Sequence, residues 1–566
     1  MWEAALPRRW RSRGPALTAR TADAYYPGMR CRVCLLAAAL CLALAGPGRA
    51  DGLPFPAGFL WGTAIAGFQS DMGVGAPNDE GTDWWIWVRD AQNLAASRVS
   101  GDLPETGPGF WRLYERDARL VRRKLHGNAF RMGIEWSRIF PTSTAAVDAS
   151  GGITPSVLAQ LDALADPAAV VHYRDVFTTL RAKRLQLLVT LNHFTLPLWL
   201  HDPIAVRDAF ATVNPLTGGV PPGIVRGGWL DPAIVDEFAK FAAYAGWKFG
   251  DLVDFWATLN EPVVVVVSGF VNAAGVGGNF PPGVFNFAAV LQTLPNLLAA
   301  HARGYDALHA WDTRDADGDG IAVEAGVVHN MVAFHPTNPA SANDVIGAAH
   351  ADYLFNRLFP MAVTTGGFDA NLDGDTDDPG EARPDLAGRA DFLGLNYYLR
   401  ATATGLGASV TPLVPLFDFL PVLSYRTPQN PGGAPCPSSC TDFGWEIYPA
   451  GLGEVLATAG SYGLPIYVTE NGLADSADAR RATYIVDHLR VLQQVIDDGV
   501  ADVRGYLHWS LTDNFEWASG YATRFGLFTY DVETGRRRLR RGARVLRKIA
   551  RRNGLTERVL RKFATP

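Results

Sequence analysis

Two glutamates stand directly after apolar segments of the length expected for buried strands. Glu261 follows residues 255–260, and Glu470 follows residues 466–469. A single carboxylate in such a position is most often a helix N-cap or one half of an ion pair at the rim. Two opposed carboxyls can instead cleave a glycosidic bond, because one protonates the leaving oxygen while the other meets the positive charge on the anomeric carbon. The Trp, His and Asn residues near both glutamates favour this second interpretation.

The segments that hold these glutamates belong to a regular alternation of apolar runs and longer helical patterns from residue 51 onward. Each run is continuously apolar, as expected for a parallel strand that is covered on both faces. Eight such strands with helices between them predict an α/β fold, a single (β/α)8 TIM barrel whose chemistry lies at the C-terminal strand ends. The predicted strands are 59–65, 129–135, 186–193, 255–261, 321–329, 392–398, 466–470 and 505–510.

Two longer insertions interrupt this alternation, at residues 212–228 after the third strand and 413–440 after the sixth. Loops that follow the strands of such a barrel lie on the face that carries the chemistry. We therefore expect long loops over the active face, where residues 413–440 would shape an outer subsite.

The composition narrows the class of protein. The 566 residues are 48% hydrophobic, 11% aromatic and 19% charged, which excludes a disordered chain, collagen and a coiled coil. The 16 Trp and 17 Tyr residues supply flat amphipathic rings that suit ligands with apolar faces and hydroxyl edges. Sugars are one such class of ligand.

The N-terminal residues have the features of an export signal. Arg30 and Arg32 precede an apolar stretch at 33–45, which is shorter than the about 20 residues needed to cross a bilayer. Small residues follow, and the whole pattern predicts a signal peptide at residues 29–50 that is cleaved near Ala50. We therefore expect a secreted or periplasmic protein without a membrane span.

On this interpretation Met29 is the true start of the protein. Residues 1–28 would be an extension or a misassigned start, and residues 51–566 would form the barrel domain with a basic C-terminal helix. Removal of residues 1–50 leaves 43 basic and 55 acidic residues, a net charge of −12. Such an acidic protein is a poor partner for nucleic acid.

Basic residues are concentrated between residues 536 and 562. We expect a terminal amphipathic helix with a solvated basic face, although attachment to an anionic surface is an alternative. The apolar residues expected to face inward are Leu539, Val545, Leu546 and Ile549.

Three of the five cysteines lie in the predicted leader, so that Cys436 and Cys440 remain. An exported protein would oxidise this pair to a disulfide, while two free thiols are the alternative. The spacing of the cysteines does not fit a metal site.

Several segments together resemble glycoside hydrolase family one, the β-glucosidase and β-galactosidase clan of retaining enzymes. The resemblance extends from residue 51 to about residue 546, and residues 67–70 and 83–85 resemble the archaeal-type β-glycosidases more than the plant enzymes. The other matching segments are 59–64, 130–138, 190–194, 258–262, 467–472 and 509–517.

The resemblance implies that Glu261 is the acid/base and Glu470 the nucleophile, with the two carboxyls about 5–5.5 Å apart as retention requires. Arg131 and Tyr398 would lie beside Glu470 and hold it ionised. Glu261 lacks such a cation and faces a negative charge, so that its pKa should be raised and the group protonated before attack. Asn260 would bind the sugar 2-hydroxyl.

The resemblance also implies a first sugar subsite. Gln69, His193, Glu516 and Trp517 would recognise hydroxyls, Trp509 would form the stacking floor, and Phe525 would close the pocket. Taken singly, His193, Trp509 and Phe525 would fit the core of a protein equally well. Glu516 would accept hydrogen bonds from neutral hydroxyls but repel a 6-phosphate, which predicts unphosphorylated sugars.

Two acidic loops alternate Asp or Asn with Gly, as loops that bind a hard cation do. Neither is a complete EF-hand, because Gly326 and Gly380 stand where the twelfth-position Glu is required. We expect structural Ca²⁺ rather than a catalytic metal, with solvated acidic turns as the alternative. Both loops precede consecutive strands, so that they should lie close together on the N-terminal face. The candidate ligands are Asp315, Asp317, Asp319, Asp369, Asn371, Asp373 and Asp375.

The sequence therefore predicts a retaining exo-β-glycosidase that needs no catalytic cofactor and acts on small β-glycosides or oligosaccharides. It would release a terminal β-D-glucosyl, galactosyl or fucosyl unit. A transglycosidase with the same intermediate is the alternative among enzymes. A carbohydrate-binding pseudoenzyme is disfavoured, because both glutamates are present.

Overall fold

The fold is described from a computed structural model, which covers residues 52–271, 280–428 and 430–565. The predicted extension and signal peptide lie outside these residues. Eight parallel strands, named β1 to β8 here, form the centre of the fold. They are Leu60–Ala64, Ala129–Gly133, Gln186–Asn192, Phe255–Asn260, Glu324–Pro336, Phe392–Gly405, Ile466–Asn471 and Val503–Trp509.

The eight strands close into a ring. Each strand pairs in parallel with the next one along the chain, and β8 pairs with β1 through partners such as His508 and Thr63. This closed sheet confirms the predicted (β/α)8 barrel. All side chains of β2 and β4 are buried, as expected for strands with helices outside and a packed interior.

Helices fill the connections and surround the ring. The two long helices Ile234–Phe249 and Phe287–Trp311 pack closely against each other outside the barrel. The other α-helices are Gly67–Ser70, Asp83–Trp87, Ala91–Ala95, Phe110–Leu120, Trp136–Ile139, Pro155–Leu164, Pro167–Ala182, Pro203–Ala209, Pro262–Val266, Ala342–Asp352, Leu358–Thr365, Pro449–Gly460, Arg481–Asp497, Ala543–Arg552 and Glu557–Phe563.

Strands β5 and β6 are longer than predicted. Beyond the rim they continue as a two-stranded ribbon, in which His335 pairs with Thr402. The strand Phe419–Val422, which lies in the predicted insertion at 413–440, adds to β6 in antiparallel orientation. The helix Ala342–Asp352 packs on this ribbon, and this cover explains why the strands can extend past the barrel.

The basic C-terminal segment is only partly the predicted helix. The helix starts at Ala543 and buries Val545, Leu546 and Ile549 as expected. Leu539 lies instead in the short strand Arg537–Leu539, which pairs with Phe528–Tyr530.

Two arginines of this segment are buried in ion pairs and not on a solvated face. Arg537 binds Asp117, with a nitrogen to oxygen distance of 2.6 Å, and Arg540 binds Asp513 at 2.7 Å. Part of the basic run therefore anchors the C-terminal segment to the barrel. Across the described part of the chain, no helix combines the length and apolar character needed to cross a bilayer.

Candidate active site

Glu470 lies near the C-terminal end of β7, and both of its carboxylate oxygens are bound. Arg131 of β2 contacts Oε1 through Nη1, and the hydroxyl of Tyr398 of β6 donates to Oε2 at 2.5 Å. The side chain is buried, as is that of Arg131. Burial and the charge of Glu470 raise the pKa of Tyr398 well above its ordinary value, so that the phenol keeps its proton. A guanidinium and a phenol hydroxyl are both donors that stabilise a carboxylate charge.

Glu261 follows β4 and has a different environment. Its backbone is left-handed, with φ of 50°, and it immediately precedes the helix Pro262–Val266. Its Oε1 accepts hydrogen bonds from the amides of Asn396 at 2.6 Å and Asn330 at 3.3 Å. Neutral amides thus bind the carboxyl of Glu261, whereas a cation and a phenol bind that of Glu470.

The pKa of Glu261 is raised to about 8. Burial is the largest cause and the negative charge of Glu470 is the second, while Asn396 and Arg131 act in the opposite direction. The predicted direction is confirmed, but the reason is mainly the loss of water rather than the absence of a cation. Glu261 therefore favours its protonated form at neutral pH.

Asn260 and Asn396 join these groups into one network. Asn260 Oδ1 accepts from Arg131 Nη2 at 2.6 Å and from Asn396 Nδ2 at 3.3 Å, and its amide contacts His193 Nε2 at 3.2 Å. Asn396 is itself held by Thr469, whose hydroxyl donates to Oδ1 at 2.7 Å. Asn396 thus donates to both Glu261 and Asn260, and Asn260 in turn binds the arginine that contacts Glu470.

Sequence reasoning gave no role to Asn396 or Asn330. Asn396 stands at a predicted strand end, which was a usable signal. Asn330 lies inside the extended β5, where its segment gives no indication that the side chain turns toward Glu261.

Four buried side chains and the partly exposed Glu516 form an adjoining surface; the buried ones are Gln69, His193, Trp509 and Trp517. Gln69 Nε2 donates to the backbone oxygen of Phe515 at 2.9 Å and to Glu516 Oε2 at 3.3 Å. The ring of His193 lies nearly parallel to those of Trp509 and Trp517, with interplanar angles of 19° and 16°.

Two polar atoms of this surface are available for a ligand. Gln69 Oε1 and His193 Nδ1 are buried and make no hydrogen bond within the parts of the chain described by the structure. Burial and the charge of Arg131 lower the pKa of His193 well below its ordinary value, so that its imidazole is neutral. A neutral imidazole and an amide oxygen can both bind hydroxyl groups.

The pKa of Glu516 differs from that of the ionised carboxylate expected from the sequence. Burial, followed by the charges of Glu470 and Glu261, raises its pKa to about 8. Gln69 and Trp509 oppose this shift by hydrogen bonding. The three carboxyl groups interact electrostatically and disfavour each other's ionised forms, and a sequence pattern does not reveal this coupling.

Phe525 is buried and lies beside Tyr398, with ring centroids 6.0 Å apart. It also contacts Phe443 and Trp445, two rings that sequence reasoning did not select. These rings follow the loop that the disulfide between Cys436 and Cys440 closes. Phe525 thus forms an aromatic wall behind the phenol that binds Glu470.

The insertion regions are tied together. The hydroxyl of Thr411 donates to the backbone oxygen of Leu216 at 2.6 Å, which joins the segment before residues 413–440 to the loop after β3. The Trp445 turn is held by Glu446, which binds Arg400 at 2.7 Å and accepts from Ser438 at 2.7 Å.

The first acidic loop lies before β5, at the N-terminal face, as predicted. Asp315 and Asp317 approach Asp254, and the three carboxylates could hold one cation. Asp254, which stands just before β4, was not predicted. Asp319 is exposed and accepts from the backbone N–H of Ile321 at 2.8 Å.

The second acidic loop has other neighbours. Asp369 is buried and accepts from the hydroxyl of Tyr353 at 3.0 Å, while the amide of Asn371 donates to Asp373 at 3.0 Å. Asp375 accepts from the backbone of Asp377 at 3.0 Å. The backbone of Leu416, in the insertion after β6, donates to that of Leu372 at 3.3 Å. The second loop thus packs against the insertion after β6.

A (β/α)8 barrel with two buried glutamates and a polar surface at its C-terminal strand ends has the arrangement expected of a glycoside hydrolase with paired carboxyls. The comparisons with known proteins agree. The family model described as Glycosyl hydrolase family 1 matches residues 52–208 and 221–555. The chain is 40% identical over 529 residues to a β-galactosidase of Pyrococcus woesei, covering 89% of this chain and 98% of the relative.

Two further similarities support the same assignment. A β-galactosidase of Saccharolobus solfataricus is 38% identical over 524 residues, which cover 89% of this chain and 96% of that protein. The crystal structure of the β-glycosidase from Thermosphaera aggregans has a TM-score of 0.75 and 35% identity, covering 90% of this chain and 99% of that one.

The chain belongs to Glycosyl hydrolase family 1, and within it to the archaeal-type β-glycosidases. Its activity is that of a retaining exo-β-glycosidase, which needs no cofactor for catalysis.

Proposed function

We propose that Glu470 is the nucleophile and Glu261 the acid/base of a double displacement at a β-glycosidic bond. The observation that carries this assignment is the difference between the two carboxyls. Arg131 and Tyr398 bind Glu470, whereas amides bind Glu261 and its pKa is about 8.

In the first step Glu470 attacks the anomeric carbon, and the proton of Glu261 passes to the departing glycosidic oxygen. The glycosyl ester formed on Glu470 is neutral, so that the charge that raised the pKa of Glu261 is gone. Glu261 then takes a proton from water, and this water displaces Glu470 from the sugar with net retention.

Asn260 is proposed to bind the 2-hydroxyl beside the reacting carbon. It is fixed there by Arg131 and Asn396, at 2.6 and 3.3 Å. A hydrogen bond at this hydroxyl strengthens as positive charge develops in the transition state, so that a rigidly held amide favours the transition state over the ground state.

The first sugar subsite is proposed to consist of Gln69, His193, Glu516 and Trp517, with Trp509 as its floor. The buried polar atoms Gln69 Oε1 and His193 Nδ1 support hydroxyl recognition. The relatives from Pyrococcus woesei and Saccharolobus solfataricus carry the name β-galactosidase, which supports a β-D-galactoside alongside the β-D-glucoside and β-D-fucoside. A 6-phosphate would be excluded, because burial and the charges of Glu470 and Glu261 already oppose a further negative charge at Glu516.

A proton NMR time course tests this function. An aryl β-D-glucoside, the matching galactoside and the 6-phosphoglucoside are supplied to the wild-type protein and to Glu470→Gln. We expect the β-anomer of the neutral sugars to appear first, no release from the phosphorylated sugar, and no release by the variant. Initial appearance of the α-anomer would contradict the nucleophile assignment.

We also propose that the protein is exported, with cleavage near Ala50. The disulfide between Cys436 and Cys440 supports an oxidising compartment. Expression in a bacterial host, followed by fractionation and N-terminal sequencing, tests this. A cytoplasmic product that begins at Met29 would contradict it.

Structural Ca²⁺ is proposed at Asp254, Asp315 and Asp317, with a second ion in the loop of Asp369, Asn371, Asp373 and Asp375. The close approach of three carboxylates in the first group supports the proposal. Hard cations prefer such oxygen ligands. We expect the melting temperature to rise in calcium and to fall in EDTA, whereas identical curves would contradict the proposal.

A further inference from the structure

Glu135 is a buried carboxylate that touches neither of the proposed reacting groups. It follows β2 and immediately precedes the helix Trp136–Ile139. Its backbone N–H donates to the hydroxyl of Tyr173 at 2.9 Å, which holds the backbone of Glu135 in place. Its two carboxylate oxygens have separate partners on two different loops.

The first partner belongs to the loop after β1. Glu135 Oε1 accepts from the backbone N–H of Phe68 at 2.8 Å, directly beside Gln69. The contact is so close that a Cβ added at Gly67 would lie 2.4 Å from this oxygen. The carboxylate and the glycine together therefore set the position of the segment that carries Gln69.

The second partner belongs to the loop after β3. Glu135 Oε2 accepts from the hydroxyl of Thr195 at 2.6 Å, two residues after His193. The loop is tight, because Asn192 Nδ2 donates to the backbone oxygen of Thr195 at 2.8 Å and Phe194 has a left-handed φ of 75°. Movement of Thr195 would therefore move His193.

We propose that Glu135 is the positioning residue of the first sugar subsite, joining the Gln69 loop to the His193 loop through its two carboxylate oxygens. The proposal rests on the sugar-binding roles proposed above for Gln69 and His193. Both loops leave barrel strands that are not neighbours of each other, since β2 lies between them. A residue that follows β2 and binds both loops can therefore hold the side chains of Gln69 and His193 at a fixed separation.

The test compares Glu135→Ala with Glu135→Gln and with a matched control, Asp487→Ala. Asp487 is also buried and also accepts from a backbone N–H and a threonine hydroxyl, both of Thr565, at 3.0 and 2.5 Å. It lies on the helix Arg481–Asp497 and belongs to none of the proposed sites. Loss of one hydrogen bond corresponds to roughly two- to tenfold in affinity, and Glu135→Ala removes two.

We expect Glu135→Ala to raise KM for an aryl β-D-glucoside about tenfold, with a smaller change in kcat. Glu135→Gln keeps an acceptor for Phe68 and a donor for Thr195, so that it should restore KM to within about threefold. Asp487→Ala should lower the melting temperature and leave KM unchanged. Thr195→Val leaves Glu135 in place and removes only its second hydrogen bond, so that KM should rise a few-fold. This variant tests the proposal if Glu135→Ala fails to fold.

A double-variant cycle with Gln69→Ala separates positioning from general stability. If Glu135 acts through Gln69, its replacement should cost little further binding when Gln69 is already absent. Full multiplication of the two losses in KM, or wild-type KM in Glu135→Ala and Thr195→Val, would overturn the proposal. Wild-type KM in Gln69→Ala alone would instead contradict the sugar-binding role of Gln69, so that the two failures are distinguishable.

Discussion

The two ends of the barrel give the same functional group opposite properties. At the C-terminal end Glu261 is buried, and burial together with the charge of Glu470 raises its pKa to about 8. At the N-terminal end Asp315 is exposed, and the backbone N–H groups of Gly320 and Gly318 lower its pKa. Glu261 is therefore an acid, because it has lost water and faces a second charge, whereas Asp315 is an anion that backbone N–H groups stabilise.

The largest expected effect tests the reactive end directly. Glu470→Gln should lower kcat by on the order of 10⁴-fold or more, because no covalent intermediate can form. Glu446→Gln is the matched control, since Glu446 is also buried and bound by an arginine but lies outside the pocket. Steady-state kinetics measure both, and a comparable loss in the control would show that burial rather than chemistry matters.

Glu261→Gln should lower kcat/KM by about 10²- to 10⁴-fold on glycosides with poor leaving groups, and far less on activated aryl glycosides. The protonated form of Glu261 is the active one, so that wild-type activity should hold below pH 8 and fall as the pH rises through about 8. This alkaline limb should disappear in the variant. A pH profile on both substrates gives the result, and an unchanged limb would assign it to another group.

Tyr398→Phe should lower kcat by about 10²-fold, since it removes one of the two donors to Glu470. Tyr397→Phe is a suitable control, because Tyr397 donates to the backbone of Tyr448 instead. We expect that control to change the melting temperature and not kcat. Equal losses in both variants would contradict the specific role of Tyr398.

Glu516→Gln should raise the melting temperature at pH 8 by a few degrees and leave it unchanged at pH 4. The folded pKa of about 8 lies above the ordinary 4.5, so that the folded protein keeps a proton that the unfolded chain releases. Stability is therefore lost as the pH rises from about 4.5 to 8, and Gln, which does not titrate, avoids this loss. Calorimetry of the wild-type protein and the variant at both pH values measures this difference in melting temperature.

The smallest effect is expected at the N-terminal end. Asp315→Asn should change the melting temperature in calcium by a few degrees and leave kcat/KM unchanged. A change in kcat/KM comparable to that of Tyr398→Phe would remove the contrast between the two ends. Thermal melts and initial rates in the same calcium buffer are sufficient.

Strand positions could be predicted from the sequence because buried parallel strands are continuously apolar, and β2, β3 and β4 lie where expected. The extension of β5 and β6 could not, because their outer halves are only partly buried and depend on the helix Ala342–Asp352. The packing of this helix, rather than the local sequence pattern, therefore determines where those strands end.

Both glutamates, and the two side chains that bind Glu470, were predicted from family motifs. Asn396 and Asn330 were not given roles, since they reach Glu261 from two strands that meet it only in the closed ring. The same applies to Asp254, which joins the acidic loop from a separate segment, and to Arg537, whose partner Asp117 is 420 residues away in sequence.

The pairing of β8 with β1 has a consequence for how the enzyme becomes active. Gln69 and its partner Phe515 are 446 residues apart in sequence, on loops that follow the first and last strands of the ring. The proposed sugar subsite is therefore incomplete on the ribosome until the segment after β8 has been made. A chain that ends between Glu470 and Trp509 carries both glutamates but not this segment, so that we expect no hydrolysis from it.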